Sequence, residues 1–366
     1  MHKKKSLIQY EMRTMSWFLL AGVLAALFFC FVLYMELLDW HDYAYWNSEM
    51  TGTVFGSNLS NALEMGTLLA IPCLAIMAIV QFGDTHRRKT QEYFHSLPFT
   101  KRERIVVKMA VGYIILTVTS LVSLIGVLIL RNIFIPYIYK AIAVNPAYQV
   151  IFGNETVWHT VRSMCMLWLV LLAVYSIMIF VHTIVSKGIP ASIIGIGITA
   201  TPIWFWAVVR VLMSREGFDA ADETVQAWNR ISNYFGVLTA MGYGTRTAFA
   251  GGNSSGSDVV TAEVIYYDNF WILCLICLVI IAVCSALSYI LAGQMDMARG
   301  SILVQKRPAR IFLGAGISVC FGCAAGGFFC YWFFNELIFV PAVIVALVTA
   351  VILYMICQKI FRLALR

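Results

Sequence analysis

Ser16 to Met35 reads SWFLLAGVLAALFFCFVLYM, an uncharged apolar run. A helix that crosses a bilayer needs about 20 such residues, because in hydrocarbon each backbone amide must find its partner inside the helix. The run is read as a membrane span. The same reading extends to Leu63–Phe82, Met109–Leu130, Ser163–Val185, Ala191–Met213, Asn269–Ala292, Ile311–Phe333 and Val340–Cys357, which makes eight crossings. The chain is 61% hydrophobic and 12% charged. Soluble domains lie nearer ~45–50% and ~25%, so a soluble fold is excluded. No secretory signal is read at the start, since Glu36-Leu37-Leu38-Asp39-Trp40 follows the first run where small residues of a cleavage site would stand. The expectation is a single all-α integral membrane domain over residues 1–366.

The charges are sorted between the segments that separate the runs. If the N-terminus is cytoplasmic, the segments on that side hold 19 of the 26 Lys and Arg but 5 of the 19 Asp and Glu. The positive-inside bias then places both termini in the cytoplasm. The net charge of +7 lies at the ends of spans, where anionic lipid accounts for it, and nucleic acid is not implied. Trp40, Trp158, Trp204, Trp206, Trp271 and Trp332 gather near outer span ends and Trp17 near an inner one, as an aromatic belt would.

Three further segments have a character of their own. Residues 1–15, with Lys3-Lys4-Lys5 ahead of Leu7, Ile8, Tyr10, Met12 and Met15, read as a basic amphipathic helix lying on the inner headgroups. Residues 214–268 form a long extracytoplasmic segment. In it Val225, Trp228, Ile231, Phe235 and Leu238 recur at helical spacing before a flexible Gly251–Ser257 linker. All ten cysteines fall in the runs, so no disulfide framework is read. Cys274, Cys277 and Cys284 repeat the spacing of Cys320, Cys323 and Cys330. Small apolar packing explains this better than a metal or thiol relay, since thiolates in hydrocarbon need a cation. Gly322 and Gly326, in GxxxG spacing among further glycines, mark the seventh run as a close-packing helix.

The most heavily charged cytoplasmic loop is 83–104, GDTHRRKTQEYFHSLPFTKRER. Asp84 is read as the N-cap of a short helix that Pro98 ends, and Thr100 with Glu103 has the spacing of a capping box that starts the helix of the third span. Tyr93, Phe94, Leu97 and Phe99 are apolar among charges, which suits either a protein partner or an anchor in the headgroups.

The stretch Arg87 to Glu103, with its Phe94-His95-Ser96-Leu97-Pro98 turn and Lys108 following, resembles the loop between the second and third spans of ABC-2 type transporter permeases of Gram-positive bacteria. The resemblance implies a coupling helix seated in a cleft of a separate ABC ATPase subunit. Arg87, Arg88, Tyr93, Phe94, Leu97, Pro98, Lys101 and Arg102 would be its contact residues. It further implies export across a bacterial plasma membrane by a homodimer or by a heterodimer with a sister permease. The chain has two spans beyond the six of the family core, and Lys89-Thr90 stands where the family has Gly-Thr or Gly-Ser. No GxxxxGK[ST] loop occurs, so ATP and Mg would be bound by the partner chain and this chain would bind no cofactor.

Two other classes compete. A secondary transporter would carry ionisable groups at the membrane midplane, whereas Glu64, Arg210 and His182 are read as interfacial or snorkelling at span ends. Gly188-Ile189-Pro190, Gly195, Gly197 and Pro202 could break the fifth span as such carriers require. An intramembrane enzyme would need a catalytic constellation such as HExxH or GxSxG, and neither occurs, so no catalytic or metal residue is assigned. A membrane sensor or structural protein is the remaining alternative.

Overall fold

Long uninterrupted runs of Leu, Ile, Val, Ala and Phe leave the backbone to pair with itself, and helix is what they form. The computed structural model describes residues 2–38, 51–52, 55–86, 99–144, 156–215, 244–250, 260–266, 270–292, 304, 307–334 and 339–362. Eight helices lie among them: α1 His2–Leu37, α2 Phe55–His86, α3 Lys101–Val144, α4 Val157–Ile184, α5 Gly188–Arg215, α6 Phe270–Ala292, α7 Arg307–Phe334 and α8 Phe339–Arg362. Seven of the eight are long and apolar enough to cross a membrane, the architecture of a multi-pass membrane protein. The exception is α5, which qualifies as apolar only over Gly188–Pro202; its side chains from 203 onward lie outside the described residues.

At three places the structure adds to or corrects the sequence expectations. Residues 2–15 run directly into the first span as the beginning of α1, a single helix of 36 residues. Its Leu7, Glu11 and Met15, four residues apart on one face, are buried within the protein. Asp84 does not open a new helix, because α2 continues to His86. Finally, the chain is not purely helical. Three strands, β1 Thr51–Gly52, β2 Gly244–Ala250 and β3 Val260–Tyr266, form a sheet in the order β1-β3-β2. β2 pairs antiparallel with β3 from Gly244↔Tyr266 to Ala250↔Val260, and β1 joins β3 in parallel through Thr51↔Thr261. The β-branched Val260, Thr261, Val264 and Ile265 favour this extended conformation. The helix expected around Val225 to Leu238 and the Gly251–Ser257 linker lie outside the described residues.

Proline does not break α5. Pro190 sits in its first turn, where a missing N–H is harmless, and the helix continues through Pro202. Hydroxyls of Thr199 and Thr201 donate to the carbonyls of Gly195 and Gly197 at 2.9 and 2.7 Å in the turn before that proline.

The chain divides into two compact units, Met1–Ile71 with Ala110–Ala173 and Thr239–Val279, and Pro72–Met109 with Val174–Leu238 and Ile280–Arg366. In the first, Gly22 abuts Thr119, the Cys30 thiol faces Ser123 O at 3.8 Å, and the rings of Tyr34 and Phe134 meet edge-on at 6.0 Å. Ascending residues of α1 thus meet ascending residues of α3, and the two helices are parallel. Arg162 over the Phe270 ring at 5.8 Å and the Cys274 thiol against Met166 Sδ at 3.7 Å make α4 and α6 parallel in the same way. In the second unit Gly314 lies against Gln358 and Tyr354, and Gly322 against Ala346 and Ala350, so α7 and α8 are antiparallel. Parallel odd partners, parallel even partners and an antiparallel last pair are the pattern that consecutive crossings generate.

Burial separates the helices. α4 is a core helix, with Val170, Ala173, Val174, Tyr175, Met178 and Val181 all fully enclosed. α1, α6 and α8 instead expose large apolar side chains, among them Phe28, Leu275 and Leu347, on faces suited to lipid.

Candidate functional site

The loop that carries the sequence-predicted site is bounded by the end of α2 and the start of α3. Arg87, Arg88, Tyr93, Phe94, Leu97 and Pro98 lie outside the described residues. Lys101 and Arg102 open α3. The expected capping box is present in full. Thr100 O accepts the first helical bond from Arg104 N at 3.2 Å, Thr100 Oγ1 accepts from Glu103 N at 3.2 Å, and Glu103 Oε2 accepts from Thr100 N at 3.0 Å. The helix therefore starts at a defined residue immediately after the loop. Arg102 is exposed, and its guanidinium lies over the Tyr289 ring of α6, 5.3 Å from the centroid.

Next to this start lies a polar cluster that sequence reasoning missed. Lys108, which follows the loop at the start of the third span, is 1% exposed, and Gln81, Tyr175 and His182 are 2%, 0% and 2% exposed. Gln81 Nε2 donates to Lys108 O at 2.7 Å, and Lys108 Nζ donates back to Gln81 O. The Tyr175 hydroxyl donates to Gln81 Oε1, and its oxygen lies 3.5 Å from Lys108 O. The Lys108 ammonium also stands 5.7 Å from the centre of the Phe82 ring, whose negative face suits a cation.

The Phe82 ring also lies 5.4 Å from the His182 ring, tilted by 33°. His182 therefore does not snorkel. Its Nε2 is 3.0 Å from Ser192 Oγ, and Ser192 donates its single hydroxyl proton to Ala75 O at 3.2 Å. Ser192 thus bridges the His182 ring to the backbone of α2. The cluster joins α2, α3, α4 and α5 inside one compact unit.

Comparison with protein-family models, curated proteins and solved structures finds no match. The chemistry of the cluster is therefore read from its own atoms. It holds one ammonium, one imidazole and one phenol, with backbone carbonyls as acceptors. Among the described residues no group of three His, Cys, Asp or Glu side chains is placed to hold a metal ion. Of the cysteine repeat, Cys274 and Cys277 are buried in α6 and Cys320 and Cys323 are half-buried in α7, all as free thiols, and the side chain of Cys330 lies outside the described residues. Glu64 and Arg210 lie within α2 and α5, with side chains outside the described residues.

The signal for Lys108 was available in the sequence. It stands seven residues inside α3, two turns beyond the cap, so helical spacing alone places it on a particular face of a span.

Proposed function

We propose that this chain is the membrane-spanning permease subunit of an ATP-driven exporter of the ABC-2 type, in a bacterial plasma membrane with both termini in the cytoplasm. It forms the translocation pathway with a second permease copy or a sister chain. The loop 83–104 is its contact with a separate ATPase, which binds ATP and Mg. The observation that carries the reading is the Arg87 to Glu103 sequence, with its Ser96-Leu97-Pro98 turn, between a basic multi-helix frame and a capped third helix. The capping box supports it physically: a helix that starts rigidly at the residue after the loop passes displacement of the loop into the span without fraying.

The test is the double variant Phe94→Ala and Leu97→Ala. In the reading, it removes the apolar anchors of the loop and lowers permease-dependent ATP hydrolysis by about tenfold or more, as loss of two interface anchors does. The protein itself should stay folded and monodisperse, because neither residue lies in a span. Full coupling in that variant would remove the loop from the mechanism.

One observation favours a second reading. Buried Lys108, Tyr175 and His182 are ionisable groups enclosed among helices, and carriers that run on ion gradients use such groups. A self-sufficient carrier would move its substrate in proteoliposomes without nucleotide, whereas the permease would not.

A further inference from the structure

We infer that Gln81, Lys108 and Tyr175 form a polar latch that binds the end of α2 and the start of α3 to the core helix α4, and so carries displacement of the 83–104 loop into the spans. The inference rests on the reading of that loop as the ATPase contact. The three residues are positioning residues, since none is placed to touch nucleotide.

The geometry is that of a register lock. Gln81 and Lys108 exchange reciprocal bonds, each side chain donating to the other's backbone carbonyl. Sliding α2 along α3 by one residue, about 1.5 Å, would break both bonds together, since a hydrogen bond tolerates only a few tenths of an ångström. Tyr175 adds a third helix by donating to the same glutamine side chain. A second tie lies further back on α2, where Ala75 O accepts from Ser192 of α5 and Ser192 in turn meets His182 of α4. Ala75 and Gln81 are six residues apart, about 9 Å of helix. Fixed at two heights, α2 can neither slide nor roll on α4.

Stability alone does not call for this arrangement. Buried polar groups can often be exchanged for well-packed apolar ones at little loss, whereas register and specificity depend on their bonds. A leucine pair would fill the space, but it would let the helices slip.

Hydrogen exchange of the full chain in lipid nanodiscs tests the latch without any partner. Tyr175→Phe removes one hydroxyl and keeps the ring, and Gln81→Leu removes the shared side chain. Each should speed amide exchange about fivefold in both the last turns of α2 and the first turns of α3, as loss of an interhelical hydrogen bond does, with α8 unchanged. Acceleration confined to the mutated helix, or no acceleration, would overturn the latch.

The second measurement is ATP hydrolysis by the complex reconstituted in vesicles. Tyr175→Phe should keep the wild-type ratio of co-purifying ATPase and lose about fivefold of the permease-dependent rate, as loosening of a shared hydrogen-bond network does. An unchanged rate alongside loosened exchange would overturn the transmitting role. Wild-type protein that brings no hydrolysis would overturn the permease reading and the transmitting role with it, while the exchange data would still report whether the latch exists.

Discussion

Gly322 shows how much one atom decides where helices touch. A Cβ built there would sit 2.6 Å from Ala346 O and 2.8 Å from the Ala350 methyl carbon, on the backbone of α8 and not on a flexible side chain. Gly322→Ala should therefore force α7 and α8 apart and destabilise the protein by about 1–3 kcal/mol, the range for overpacking a tight contact. Gly316 on the same helix has open space at its Cβ, so Gly316→Ala is the matched control and should leave the thermal midpoint in detergent unchanged. An equal effect of the two would contradict the packing. The GxxxG spacing made Gly322 legible in the sequence. The place of Lys108 at the start of the third span was legible too, but the enclosure of its side chain was not, because that depends on the helices packed around it.

Among the helices, α3 has its start fixed by side-chain bonds. The capping box was legible because its chemistry is local: a threonine and a glutamate three residues later suffice. Thr100→Ala should cost about 1 kcal/mol of stability, and adding Glu103→Ala should cost less again than it does alone, since the two residues serve one cap. Chemical denaturation of the four members of that cycle checks this; strict additivity would mean the cap is not reciprocal. Asp84 has cap chemistry and follows a glycine, yet α2 runs through Gly83 and Asp84 to His86. α1 likewise runs unbroken from the basic stretch into the first span, and Leu7 and Met15 have a buried face to occupy. The β-strands were missed although Val260 to Tyr266 is rich in β-branched residues. Seven residues of strand carry a weaker signal than the apolar helical spacing upstream of them.

For the whole molecule, hydropathy alone carried most of the fold. Seven helices meet the length and apolarity of a span, and the parallel pairing of α1 with α3 and of α4 with α6 follows the order of crossings read from the sequence. What hydropathy does not carry is which helix is most enclosed. α4 is no more apolar to the eye than α6, yet among the described residues it is buried along most of its length where α6 is largely exposed. Its buried Thr160, Ser163, Ser176 and Thr183 are the trace of this, since small hydroxyl residues permit close helix contact where large lipid-facing residues do not. In the proposal, such a frame is driven by a separate ATPase. It is tested most directly by purifying the tagged chain from its native host in mild detergent and identifying the chains bound to it by mass spectrometry. The permease reading predicts a stoichiometric soluble chain with a phosphate-binding loop, retained by the wild type and lost or idle with Phe94→Ala and Leu97→Ala. An intact, monodisperse protein that repeatedly brings no ATPase with it would contradict the reading.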